Sequence, residues 1–424
     1  SRERNGHSNK ERNTSKLAGL LAPKIEQEGQ MAEEKRKRAL APRGRSISIK
    51  VGGQTVNAFT ANHHSGSGPG LLIISDLDTL DAGIKERANL FGQEGYSVLA
   101  LPNDLSATNI IEAVQTLRNF SSTNEEIVAV GYGNGGMLAL RSAAEANFKA
   151  VVGFDVMPLA GKNNVLESVS CPFVLQYGIK DAPDAEALVA TLKSKFVRGD
   201  GSRIYGWEEG RPGFSIEKRE NYNKLADSLA HSRTLELIRR VVGPYYDYAA
   251  LFAEHVYHEF TTRDVDATMA TMIDEPYVNH TPTLTGGVGH DMLKRFYKYH
   301  FVDQNSGGRD RTRISYTHGP DRVVLETYTK FRHDSVIDRY FPGIEPTGKT
   351  VEIATVIIVK FRGDKVCHEH LYWDQGSALK QIGVLDADHL PIAGPEAARK
   401  VLDETQPSNI FMQKAWATSK GKPI

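Results

Sequence analysis

Cysteine is nearly missing from this chain. Only Cys171 and Cys367 occur in 424 residues, and neither has a C-x-x-C partner. That excludes a disulfide framework and suits a reducing compartment. An excess charge is missing as well, since 52 Lys+Arg balance 52 Asp+Glu. No overall field therefore draws the protein to nucleic acid or to a membrane surface. No apolar run is long enough to span a bilayer; L-L-I-I-S and V-I-I-V are strand-sized. Residues 1–45 have no apolar h-region, so no secretory signal is expected. A G-x-S-x-G nucleophile motif is absent too. A cytoplasmic protein handling a small molecule is the expectation.

What is present divides into four stretches. Residues 1–45 are polar and charged, with few aromatics, and read as disordered; their K-R-K-R run reads as a solvated charge run. Over 46–242 the pattern becomes α/β. S-I-S-I-K-V and T-V-N-A-F-T form a hairpin pair, and continuous Val/Ile/Leu strands then alternate with amphipathic helices. That grammar predicts a doubly wound, mostly parallel sheet covered on both faces. Gly243-Pro244 punctuates the chain. Over 244–392 helices come first (245–262, 264–272, 289–300) and long strands follow (313–332, 350–362, 365–374), an α+β layout with one curved sheet. Residues 393–424 read as a loose tail, although 410–416 could dock.

In the α/β stretch, Gly131-Tyr132-Gly133-Asn134-Gly135-Gly136 matches G-x-G-x-x-G between a strand and a helix. Asp155 falls about where a ribose-binding acid would stand, so a dinucleotide site is one reading. Against it, a strand–helix–strand unit precedes the motif, whereas such fingerprints usually occupy the first crossover. The residues also resemble the dienelactone hydrolase branch of the α/β-hydrolases over 46–242. The G-Y-G-N-G-G segment stands where that family has its elbow, G-x-C-x-G-G, and puts Gly133 at the nucleophile position. Y-G-I-K-D puts Asp181 at the acid position. G-R-P-G-F puts Arg211 or Pro212 where the family has its histidine, and Asp76 stands near its acidic residue beside the nucleophile. Glycine has no side chain to attack with, and neither arginine nor proline is a base at neutral pH. A degenerate hydrolase site follows.

The most unusual stretch is V-C-H-E-H-L-Y-W-D at 366–374. Read as a strand, it alternates faces. Val366, His368, His370, Tyr372 and Asp374 share one face; Cys367, Glu369, Leu371 and Trp373 share the other. Two imidazoles, a phenol and a carboxylate on one face predict a polar cavity lining, because an unpaired buried polar group costs roughly 1–3 kcal/mol. The blocks Y-V-N-H-T-P-T-L-T-G-G-V-G, F-Y-K-Y-H-F, F-P-G-I-E-P-T-G-K and E-H-L-Y-W-D-Q resemble the SnoaL-like polyketide cyclases. These belong to the cone-shaped nuclear-transport-factor-2-like fold, with a curved antiparallel sheet and helices. The resemblance implies a cofactor-independent cyclase or isomerase acting on a polyketide-like or other carbonyl-activated molecule. Asp374 would be its acid/base group and His370 would face the enolate. His280, Tyr372, His368 and Glu326 would line the pocket.

No metal and no cofactor are expected, since H-x-H with a nearby Asp lacks a third ligand at a fixed offset. His255 and His258 read as surface or packing residues. Leu371 and Trp373, turned from the cavity, would join two copies as a homodimer through the C-terminal domain. Two alternative functions stay open: a carboxylic ester or lactone hydrolase, and a non-catalytic binding or scaffold protein.

Overall fold

The computed structural model describes residues 44–423 apart from 64, 158–164, 197 and 305–309. Nearly all of the tail expected over 1–45, with its K-R-K-R run, lies outside the described residues. Strands β1 (Arg45–Val51) and β2 (Gln54–Ala61) form a hairpin. Its turn is Gly52-Gly53, both at positive φ, as a two-residue hairpin turn requires. The chain then alternates through β3 (Gly68–Ile74), α1 (Ala82–Gln93), β4 (Ser97–Leu101), α2 (Ala107–Arg118), β5 (Thr123–Tyr132) and α3 (Asn134–Ser142). It continues through β6 (Val151–Phe154), α4 (Val165–Ser168), β7 (Phe173–Gly178), α5 (Pro183–Lys195), β8 (Arg203–Trp207) and α6 (Lys224–Val242).

These strands make one eight-stranded sheet in the order β1-β2-β4-β3-β5-β6-β7-β8. From β4 to β8 every pairing is parallel, and the β1–β2 hairpin is the antiparallel edge. Continuous apolar runs are the cause. Leu72, Ile74 and Leu99 pack on one face, Leu71, Ile73 and Val98 on the other, all fully buried.

The second half opens with α7 (Tyr248–Tyr257), which runs into a π-helical turn at His258–Thr262. Then come α8 (Val265–Ala270), β9 (Met272–His280), β10 (Thr285–Val288), α9 (His290–Phe296) and a second π-helical turn, Tyr297–Val302. Four long strands follow: β11 (Asp310–His318), β12 (Arg322–Arg332), β13 (Thr350–Arg362) and β14 (Lys365–Trp373). Three short helices end the chain: α10 (Gln375–Gln381), α11 (Pro395–Leu402) and α12 (Gln413–Thr418). The six-stranded sheet has the order β10-β9-β14-β13-β12-β11. It is not wholly antiparallel as expected, because β9, a strand the pattern did not reveal, pairs in parallel with β14.

The end of the chain also departs from the expected loose tail. Helix α11 is held on the sheet by Arg399, whose guanidinium donates to both Glu352 oxygens at 2.7 and 2.8 Å. In the segment that could have docked, Ile410, Phe411, Met412 and Trp416 are exposed.

Buried polar groups join the two halves. Glu94, just after α1, accepts from Arg239 of α6 at 2.7 Å and from the Gly363 backbone N–H at 2.9 Å. His231 Nε2 lies 3.0 Å from its other oxygen. Burial alone would raise the Glu94 pKa, but Arg239 and His231 hold it down at about 2. Arg239 also reaches Tyr248 and the Pro320 carbonyl of the second half.

Candidate functional site

At the C-terminal edge of the parallel sheet, β5 turns sharply into α3 through Gly133. Its φ of 49° and ψ of −119° lie where an L side chain is strained. Its N–H donates to the Phe154 carbonyl at 2.8 Å, pinning the turn to β6. The neighbouring glycines serve packing. A Cβ on Gly131 would fall 2.4 Å from the Gly136 Cα, and one on Gly135 would fall 2.1 Å from the Ser75 carbonyl oxygen. The G-x-G-x-x-G pattern therefore lets α3 lie close on β3 and β5. A Cβ on Gly133 would meet only the Asp76 Cβ, at 3.1 Å. The frame of a strand–nucleophile–helix elbow is intact, with no side chain at its centre.

Ion pairs surround this turn. Arg219 grips Asp76 with two bonds of 2.7 and 2.9 Å and donates to Asp81 at 2.8 Å. Burial opposes it, yet Arg219 holds the Asp81 carboxyl below its ordinary range. At the acid position, Asp181 takes both bonds from Arg211, at 2.9 and 2.5 Å, so the two expected degenerate positions pair with each other. That pair is largely exposed. Asp155, the acid at the ribose-binding position of the dinucleotide reading, is held by the backbone. Its two oxygens accept from the backbone N–H groups of Gly178 and Gly213 at 2.9 and 2.8 Å, tying the loop after β8 to β7. Burial pushes its pKa up to about 6, and Asp76 adds to the shift. Cys171 is buried, and burial raises its thiol to about 11, so it supplies no thiolate.

The second half reverses the expected faces of β14. The ladder skips Cys367: Phe361 pairs with Val366, and Lys360 pairs with His368. This bulge shifts the alternation by one residue. Val366, Glu369, Leu371 and Trp373 then point inward, while His368, His370 and Tyr372 lie on the outer face. There the two imidazoles stack at 4.7 Å, with the Tyr277 ring across them. Burial, aided by His370, lowers the His368 pKa to about 3, and burial lowers His370 as well. Asp374 is the N-cap of α10 and accepts from the Ser377 N–H at 3.0 Å. Glu326 stands on the outward side of β12 beside Ser315. Of the expected pocket residues, His280 alone lines the interior cavity.

That cavity is small, about 30 Å³, and is lined by Phe252, Glu259, His280, Tyr297, Arg339 and Glu369, among others. Beside it stands His255, not on the surface but fully buried, packed on Phe252 and Tyr297. Its Nε2 lies 3.0 Å from Glu369 and 3.2 Å from Glu259. Burial alone would lower its pKa, but Glu259 and Glu369 carry it up to about 10. Burial lowers His280 to about 4, with Arg339 adding to the shift. The signal in the sequence was faint: His255 and Glu259 are one helical turn apart, and Glu369 falls on the inner face only once the bulge is counted.

Comparison with known proteins bears on the first half. The model of the dienelactone hydrolase family matches residues 93–242. Carboxymethylenebutenolidase 1 of Cupriavidus pinatubonensis is 27% identical over 142 residues, 34% of this chain; the chain spans 58% of that relative's length. The dienelactone hydrolase structure from Anabaena variabilis has a TM-score of 0.36 at 15% identity, covering 45% of this chain and 96% of that one. A hyperthermophilic esterase from Pyrobaculum calidifontis has a TM-score of 0.34 at 14% identity, covering 52% and 94%. The N-terminal part is thus a dienelactone hydrolase-like α/β domain. The expected cyclase function is corrected: the family and curated matches lie on the hydrolase side. Asp374 and His370, on which the cyclase reading relied, do not line the interior cavity.

Proposed function

We propose that the N-terminal domain is a site for small carboxylic esters and lactones that recognises them without forming an acyl-enzyme. The family match and the butenolidase relative support the ligand class. One observation carries the rest: position 133 keeps the backbone shape of a nucleophile elbow, with only Asp76 near the place of a side chain. Attack on a carbonyl needs a thiolate or alkoxide and a base beside it. Here the elbow offers hydrogen, and Arg211, at the base position, is spent on Asp181. What the frame retains is the α3 N-terminus at the sheet edge, where ligands of open α/β sheets bind.

The test pairs binding with turnover. Simple aryl esters and five-membered unsaturated lactones should raise the melting temperature of the full chain, with no product and no mass adduct. Gly133→Cys should gain a ligand-derived adduct. Absence of any ligand-dependent shift, or a stoichiometric adduct on the unmodified protein, would overturn the reading.

Two further expectations belong with this proposal. One is a cytoplasmic location; among the described residues no helix is long and apolar enough to cross a membrane. The other is a homodimer through the C-terminal domain, on a revised surface. Leu371 and Trp373 are inward, so the outer face of the sheet, with Val324, Val356 and Tyr372 exposed, is the candidate. Sedimentation of Tyr372→Glu against the parent chain tests it, and two identical monomeric profiles would remove the dimer.

A further inference from the structure

The cluster inside the second half is independent of the elbow and of the reading given to it. His255, Glu259 and Glu369 each offer one donor atom, and these atoms lie within 4.8 Å of one another. Two of the separations, 3.0 and 3.2 Å from the His255 Nε2, have the length of polyhedron edges around an ion. Metal–ligand bonds of 2.0–2.2 Å place neighbouring donors about 3.0–3.5 Å apart. We propose that His255 Nε2 and one carboxylate oxygen each from Glu259 and Glu369 bind a borderline divalent ion of the Zn²⁺ or Fe²⁺ type, with its open coordination positions facing the interior cavity.

The tautomer is already suited to this. The Thr271 hydroxyl donates to the Thr268 carbonyl at 2.7 Å, so at its 2.6 Å contact with His255 Nδ1 it must accept. Nδ1 therefore carries the proton, and Nε2 is the nitrogen turned toward the two carboxylates. Metal-binding histidines are commonly oriented in this way, through the N–H of the second nitrogen. One imidazole nitrogen and two carboxylate oxygens form a mixed donor set that suits Zn²⁺, Fe²⁺ or Mn²⁺ better than Ca²⁺ or Cu⁺.

A second observation points to a ligand in the same space. His280, 1% exposed, lines the cavity and gives its Nδ1–H to the Thr285 carbonyl at 3.2 Å. Its Nε2 is then a lone-pair acceptor, and it has no hydrogen-bond partner among the described residues. A buried acceptor of this kind calls for a donor. Water bound to the ion, or a ligand hydroxyl beside it, would supply one. Arg311 and Arg339 line the same wall, which favours an anionic oxygen, such as a carboxylate, as the exchangeable ligand.

The competing arrangement is a protonated His255 held between two carboxylates with no ion. Cobalt separates the two. The full chain, stripped with chelator, should take up one equivalent of Co²⁺ with visible d–d bands, and Zn²⁺ should bleach them. His255→Ala and Glu369→Gln should each weaken uptake about tenfold or more, while His280→Gln keeps the ion. X-ray absorption of the cobalt-loaded parent chain should show one imidazole among oxygen donors, a readout that stands even if a variant fails to fold. No uptake by the parent chain, unchanged uptake in both ligand variants, or a shell without imidazole would each overturn the proposal.

Discussion

The elbow at Gly133 and the cluster at His255 fail to be ordinary active sites in opposite ways. The elbow has a frame and no reactive group: strand, strained turn and helix are set, and the centre is a hydrogen atom. The cluster has reactive groups: an imidazole and two carboxylates are buried together beside a cavity, where solvent cannot screen them. Around the elbow each carboxylate answers an arginine or a backbone N–H, so its charges are settled. At the cluster two acids share one imidazole: burial, with Glu259 beside it, leaves Glu369 above its ordinary range, while against burial His255, Arg311 and Arg339 hold Glu259 below its own. Backbone geometry alone does not make a site chemically active; unbalanced buried charge does more.

The largest effect is expected where the halves join. Glu94→Ala would leave the buried Arg239 guanidinium without its carboxylate and the Gly363 N–H without its acceptor, costing about 3–5 kcal/mol by chemical denaturation. Because its folded pKa, about 2, lies below the ordinary 4.5, Glu94 stabilises the fold above pH 4.5. That contribution fades as the pH falls from 4.5 through about 2. Melts of the parent chain should therefore fall faster than those of Glu94→Gln across that window. Parallel profiles would place the acid sensitivity elsewhere.

Next comes the cluster. Glu369→Gln keeps the shape but removes a buried charge beside His255, and about 1–3 kcal/mol should be lost. A gain in stability would show that the two acids repel more than His255 binds them. At the elbow, Gly133→Ala should cost only about 1–2 kcal/mol, the strain of a side chain at that positive φ. A loss as large as that of Glu94→Ala would mean that the space above Gly133 is filled by packing rather than open to a ligand. The smallest change belongs to Arg211→Ala, whose pair with Asp181 is open to water. Its melting temperature should stay within replicate scatter, and a clear drop would give that pair a structural role.

How much of this could be read from the chain differs between the halves. Strands β3, β4, β6 and β7 are buried on both faces, so their sequences are mostly apolar without alternation and announce a parallel sheet. The elbow was legible because Gly131, Gly133, Gly135 and Gly136 stand together in the sequence, each where a close contact or a positive φ disfavours a side chain. Strand β9 was missed, for its run of Asp274, Glu275 and Pro276 looks like a loop until β14 pairs with part of it. The faces of β14 were misassigned for a physical reason. Alternation is reliable only within an unbroken ladder, and one unpaired residue at Cys367 inverts every side chain beyond it.

The sequence by itself therefore determined the parallel sheet, the turn at Gly133 and the loss of a nucleophile there, because each depends on residues adjacent in the chain. Tertiary structure alone decided that Arg211 would close on Asp181, that Glu94 would join the halves, and that His255, Glu259 and Glu369 would meet. Those contacts link residues as far as 269 positions apart, as between Glu94 and Gly363. For Glu94 and for the His255 cluster the energies arise from burial, which no local pattern records.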